Sequence, residues 1–147
     1  MVLRSSAEEA RRRGDRRLGT DHLLLALLYD SDSVTARALG VSLESARAAS
    51  DALDRAALSA VGVKIVSLGM PEPTPAARRL PPLTSGARAV LKRAIEEARP
   101  DKTGRIEVRH FLLALLSRER PDAAAELVHA MGIDPGDVRS RLIKSAE

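Results

Sequence analysis

Residues 18–28 read LGTDHLLLALL, and residues 106–116 read IEVRHFLLALL. Both hold the run Leu-Leu-Ala-Leu-Leu, at Leu24–Leu28 and Leu112–Leu116, with a histidine just ahead of it, His22 or His110. A helix that is apolar nearly all round must be covered on every side. The two runs lie 88 residues apart, and sliding the chain by that amount extends the match. Val2-Leu3 falls on Val90-Leu91, and Glu8-Glu9-Ala10-Arg11 falls on Glu96-Glu97-Ala98-Arg99. Of the 27 aligned positions from Val2 to Leu28, 13 are identical, where an average composition would give roughly two or three by chance. The match resumes 92 residues apart, with Gly40-Val41 on Gly132-Ile133 and Arg47 on Arg139. About one helical turn has been gained or lost after the Leu-rich helix. The chain is a tandem duplication.

Each copy reads as four helices. In the second, Val90, Leu91, Ala94, Ile95 and Ala98 mark one face of a helix over about 84–99, with Thr84 as its N-cap and Pro100 as its stop. The Leu-rich helix follows, then a helix after Pro121 carrying Ala125, Leu127, Val128 and Met131, closed by Gly132. Asp134-Pro135 opens the fourth, aspartate being a favoured cap and proline a favoured first residue. The first copy repeats the scheme: a helix over 2–13 stopping near Gly14, one capped by Thr20 through Leu28, a short one from Ser33 to Gly40, and a longer one capped by Ser42. The expected organisation is residues 1–60 as the first repeat, 61–82 as a connector and 83–147 as the second repeat. Pro71, Pro73, Pro75, Pro81 and Pro82 keep the connector out of a helix, while Val61, Val63, Ile65 and Val66 would suit a short extended stretch.

Composition agrees with an all-α fold. The 147 residues are 44% hydrophobic, mostly Ala, Leu and Val, with a single Tyr and a single Phe. There is no cysteine, hence no disulfide, thiol nucleophile or thiolate metal site. No run approaches the roughly 18 apolar residues of a membrane span, and the start lacks an apolar signal core, so a cytoplasmic protein is expected. Lys and Arg number 24 against 20 acids, a net charge of +4. The positive charge concentrates only at Arg11-Arg12-Arg13, Arg16 and Arg17, which reads as a solvated helix end or as a basic patch. His22 and His110 hold equivalent positions and are expected to tie down the loops before them. Glu8-Glu9 and Glu96-Glu97, with arginines three or four residues away, are expected to form a solvated ion-pair face. Phe111 is expected in the core. No catalytic constellation is recognisable, and no metal or cofactor is expected.

The stretch Leu18-Gly19-Thr20-Asp21-His22-Leu23-Leu24-Leu25 resembles the Gly-Thr-Glu-His-Leu-Leu-Leu signature of Clp N-terminal repeats. The likeness includes Glu8-Glu9-Ala10-Arg11, Gly40-Val41-Ser42-Leu43-Glu44, Leu83-Thr84 where the family has Phe-Thr, His110-Phe111-Leu112-Leu113 and Gly132-Ile133-Asp134. It covers both copies. The resemblance implies two four-helix repeats in a pseudo-twofold arrangement forming one domain, and a role in protein quality control beside ClpA- or ClpC-type unfoldases. The 147 residues contain no Gly-x-x-x-x-Gly-Lys-Ser/Thr phosphate loop. The expectation is a stand-alone Clp N-domain protein or an excised domain.

ClpC-type relatives are similar in fold and hold a phosphoarginine site in each repeat, near the Phe-Thr and the acid of Gly-Thr-Glu. The resemblance carries this onto Asp21 in the first repeat, where the chain begins at Met1, after the position of the Phe-Thr. In the second it falls on Leu83, Thr84 and Arg88, with Arg109 in place of the acid. A carboxylate would pair with the guanidinium, and a helix N-terminus with its hydroxyl would take the phosphate. Arg109 would instead attract a phosphate or carboxylate. The same groove is where cyclic-peptide antibiotics engage relatives. The function expected is a non-catalytic protein- or peptide-binding module, acting as adaptor, competitor or scavenger for a Clp unfoldase–protease. Its partners would be the unfoldase, its substrates or its adaptors, with no membrane. The alternative is a helical nucleic-acid-binding protein using the Arg11–Arg17 cluster, which would bind with strong salt dependence.

Overall fold

A computed structural model describes residues 2–62 and 79–146. It holds eight helices in two sets of four: α1 (Val2–Arg13), α2 (Thr20–Ala26), α3 (Val34–Leu39), α4 (Leu43–Ala60), α5 (Ser85–Ala98), α6 (Val108–Leu116), α7 (Ala123–Ala130) and α8 (Pro135–Ser145). Among the described residues extended pairing is limited to one isolated parallel bridge, Leu18 with Leu83. Residues Val63, Ile65, Val66, Pro71, Pro73 and Pro75 of the expected connector lie outside the described residues.

The caps follow the sequence. The Ser33 hydroxyl accepts from the Ala36 N–H, Ser42 from Ser45, Thr84 from Ala87 and Asp134 from Gly136. Gly40 and Gly132 adopt the left-handed backbone, φ +69° and +68°, that lets the chain turn out of α3 and α7. Thr20 departs from expectation: it is the first residue of α2, and Gly19 holds the cap position. The terminus is satisfied instead by His22, whose Nδ1 accepts the Gly19 N–H at 2.9 Å while Nε2 donates to Asp15 at 2.8 Å. His110 does the same for α6, accepting from the Glu107 N–H at 2.8 Å and donating to Asp101 at 2.7 Å. Both histidines therefore fasten the loop ahead of their helix, as read from the repeat.

The packing has a pseudo-twofold pattern. Within each copy α1 lies on α2 and α5 on α6; between copies α2 lies on α7 as α6 lies on α3, and α4 on α7 as α8 on α3. One continuous core results, with Leu23, Leu24 and Leu25 of one copy and Val90, Leu112, Leu127 and Val138 of the other all sealed from solvent. Phe111 is half-buried at the edge of that core.

Glu9 departs most sharply from expectation. It is fully buried, not solvated. Its Oε1 accepts from Tyr29 Oη at 2.8 Å and from Arg47 Nε at 3.0 Å, and Arg47 Nη2 also bonds it. Its Oε2 has no hydrogen-bond partner among the described residues, and the Arg12 guanidinium stands 3.9 Å off. Burial pushes the Glu9 carboxyl up, but the bonds from Arg47 and Tyr29 and the charges of Arg47 and Arg12 outweigh it and hold the group below its ordinary value. Burial, with the neighbouring Glu9, pushes the Tyr29 phenol up to about 12. The equivalent Glu97 stays on the surface, paired with Arg93 at 2.8 Å, as expected.

Because one core serves both copies, Leu112→Ala should cost about 2–5 kcal/mol and shift a single urea transition, not one of two. Glu9 has a lowered folded pKa, so its contribution is present above the ordinary carboxylate range and is lost as pH falls through the folded value. Arg47→Met leaves burial poorly opposed and raises that pKa. Between about pH 7 and pH 3, its urea midpoint should therefore fall less steeply than that of the native chain.

Candidate functional site

The site is built where the two copies meet. The loop before α2 and the segment before α5 pair side by side: the Leu18 N–H donates to the Pro82 carbonyl at 3.0 Å, and the Thr84 N–H donates to the Leu18 carbonyl at 3.0 Å. This bridge aims the N-terminus of α5 at the start of α2. Thr84 caps α5, and the amides of Ser85 and Gly86 in its first turn have no protein acceptor among the described residues. Gly86 is needed for the close approach: a Cβ there would stand 3.1 Å from Asp122 Oδ2 and 3.4 Å from Thr20 Cγ2. Thr20 crosses to the other copy, donating to Asp122 Oδ1 at 2.8 Å and accepting the Ala124 N–H at 3.0 Å. The residue expected to cap its own helix thus helps cap α7.

Around this junction lies a cleft of about 570 Å³. Thr84, Ser85 and Gly86 form one wall, and Asp21, Arg13 and Asp54 another. Arg13 is nearly buried. Its Nη1 bonds Asp21 Oδ2 at 2.9 Å, its Nη2 bonds Asp54, and its Nε has no hydrogen-bond partner among the described residues. Asp15 also faces the cleft, and the hydrogen bond from His22 holds its carboxyl below the ordinary value against burial. Arg16, Arg17 and Arg118 complete the rim, with Arg118 bonded to Asp122 at 3.2 Å. A helix terminus with free amides beside guanidinium groups suits an oxyanion. The Asp21 carboxylate suits a guanidinium or ammonium, and Arg13 already supplies one.

The five residues singled out from the sequence are distributed unevenly. Asp21 of the first copy and Thr84 of the second share the cleft, so the acid and the helix N-terminus come from different repeats. Leu83 supports the cleft through its bridge to Leu18. Arg88 sits exposed one turn along α5, outside the lining. Arg109, also of the second copy, lies outside the cleft, bonded to Asp101 at 2.6 Å and Glu107 at 3.0 Å. The Arg11–Arg17 cluster is divided: Arg13 is spent on two aspartates, and Arg11 donates to the Arg79 carbonyl at 3.3 Å. Sequence reading named Arg13 only within the basic cluster, and it missed Asp54, Arg118 and Asp122. One signal was available, because 88 residues on Arg13 becomes Asp101 and Asp21 becomes Arg109, an ion pair with its signs exchanged. Among the described residues no group of three or more His, Cys, Asp or Glu gathers to hold a metal, and no helix is long and apolar enough to cross a membrane.

The family model of the Clp repeat (R) N-terminal domain matches residues 1–80 and 82–147. The chaperone protein ClpC1, chloroplastic, of Oryza sativa subsp. japonica is 31% identical over 146 residues, 97% of this chain and 14% of that protein. The ATP-dependent Clp protease ATP-binding subunit ClpA homolog, chloroplastic, of Brassica napus is also 31% identical over 146 residues, covering 97% and 15%. The chain thus spans about one seventh of the length of these relatives. The crystal structure of the N-terminal domain of the caseinolytic protease associated chaperone ClpD from Arabidopsis thaliana superposes with a TM-score of 0.70 at 18% identity. It covers 99% of this chain and 89% of that one, a likeness of fold.

Thr20→Val strips the Ala124 N–H and Asp122 of a shared partner at the seam between the copies. It should cost about 1–3 kcal/mol in urea unfolding, and Thr20→Ser should recover most of the loss.

Proposed function

The chain belongs to the Clp repeat N-terminal domain family, and from this premise we propose that it is a non-catalytic protein- and peptide-binding module of a Clp proteolysis system. Residues 1–60 and 83–147 are its two repeats and 61–82 the connector. It acts as adaptor, competitor or scavenger for a Clp unfoldase–protease in the cytoplasm, through the unfoldase, its adaptors or its substrates. The observation that carries this reading is the composite cleft, in which free first-turn amides of α5 stand beside the Asp21 carboxylate.

That pairing of opposite polarities fits a ligand that is itself a guanidinium joined to a phosphoryl group, as in a phosphoarginine side chain. The phosphoryl oxygens would take the Ser85 and Gly86 amides and the Thr84 hydroxyl. The guanidinium would take Asp21 in competition with Arg13. A cyclic-peptide ligand would lie over Leu83 at the edge of the same cleft.

A calorimetric titration with a phosphoarginine peptide checks this. Saturable heat is expected, lost in Asp21→Asn and strongly reduced in Thr84→Ala, with Thr84→Ser retained. Arg88→Ala should bind nearly as the native chain does. Thr84→Ala also weakens the α5 cap by about 1 kcal/mol, so its folding is followed by circular dichroism in the same buffer. Absence of heat from both the phosphoarginine peptide and a cyclic-peptide Clp ligand would sink the ligand assignment.

A further inference from the structure

The cleft at Thr84 already contains a guanidinium of its own. Arg13 ends α1, and its side chain is only 8% exposed. Nη1 donates to Asp21 Oδ2 at 2.9 Å and Nη2 donates to Asp54 on α4. Nε is buried without a hydrogen bond among the described residues, with Asp15 Oδ2 3.9 Å off. The other two carboxylates of the lining are engaged as well, Asp15 by His22 at 2.8 Å and Asp122 by Arg118 and Thr20. What the cleft holds open suits an anion: the first-turn amides of Ser85 and Gly86, with Arg16 and Arg17 exposed on the rim. The second copy agrees. There Arg109 stands where Asp21 stands in the first, held by Asp101 at 2.6 Å, so neither copy leaves a carboxylate open at that position.

We propose, on the reading of the cleft as a phosphoryl-binding site, that Arg13 is its specificity-determining residue. It is a tethered guanidinium that holds Asp21 against the guanidinium of a ligand and shifts the preference of the site from phosphoarginine towards phosphate monoesters. A phosphoarginine side chain must displace Arg13 from Asp21 before both of its halves are bound. A group tethered within the same chain competes at an effective concentration on the order of millimolar, well above that of a dilute ligand. The apparent affinity is reduced to the fraction of molecules in which Asp21 is free. A phosphoserine side chain brings a phosphoryl group and no cation. It takes the Ser85 and Gly86 amides and the Thr84 hydroxyl, leaves Arg13 in place and gains from the positive charge beside it. Displaced from Asp21, Arg13 keeps its bond to Asp54 and has Asp15 near Nε. The competition is therefore finite, and phosphoarginine is weakened rather than shut out.

Two peptides of one sequence, with phosphoarginine or phosphoserine at the same place, are titrated calorimetrically into the full chain and its Arg13→Met and Arg13→Lys variants. Methionine keeps an apolar stem, and the Asp21 and Asp54 side chains it leaves unpaired are 19% and 55% exposed, so the variant should fold, which circular dichroism checks. Arg13→Met should strengthen the phosphoarginine peptide about tenfold or more and leave the phosphoserine peptide unchanged or weaker. Arg13→Lys, which keeps the cation, should retain most of the native preference. In the isotopically labelled native chain, the phosphoarginine peptide should shift the Arg13 Nε–H resonance far more than the phosphoserine peptide does. Three outcomes would overturn the proposal while the phosphoryl reading stands: both peptides changing by one factor in Arg13→Met, a fall in the preference for phosphoarginine there, or an equal response of the Arg13 resonance to both. No binding of either peptide to any of the three proteins would sink that reading and the proposal with it.

Discussion

Neither Leu-rich helix can be covered by its own copy. α2 and α6 are apolar around nearly their whole circumference, and a lone four-helix unit of this length leaves one side of such a helix facing water. The copies solve this by exchange: α7 closes over α2 and α3 over α6. Everything else at the junction follows from that mutual burial. It brings Thr20 within reach of Asp122 and the first turn of α7, and it brings the start of α5 to the start of α2. The candidate cleft is a consequence of the packing. Its two chemical halves are carried by different repeats because the helices that bear them cap each other's cores.

Periodicity and capping chemistry made the helices and most of their ends readable in the sequence. Ser33, Ser42, Thr84 and Asp134 act locally, on amides two or three residues away, and such signals survive without any knowledge of the fold. The misreadings are all long-range. Thr20 looked like a cap because its neighbours in sequence suit one, but its partners lie 102 and 104 residues on. Glu9 looked like a surface acid because Arg12 and Arg13 follow it, while the partners that hold it in the core are Tyr29 and Arg47. Asp21 and Thr84 could be named from a family likeness, but not placed together, since the likeness assigns each to its own repeat and the packing crosses them.

The two copies also differ in the openings that they present at the surface. On one side the backbone edge at Leu18 is completed and its cleft is polar, lined by equal numbers of arginine and aspartate side chains, four of each. On the other, Ile106 and Val108 are exposed beside a groove that is mostly apolar. Changes at a few positions, Thr20 against Val108 and Gly19 against Glu107 among them, separate the two environments while the helices beneath keep one pattern.

The exchanged ion pairs also bear on how a duplicated chain assembles itself. Two halves of one pattern invite each first helix to dock on the second helix of the wrong half, or on that of a neighbouring molecule on the ribosome. Arg13 would then meet Arg109, and Asp101 would meet Asp21, like charges facing each other at the very contact where the proper partners attract. The sign reversal therefore labels each half, so that a nascent chain sorts its own helices and mixed, entangled dimers are disfavoured from the first encounter.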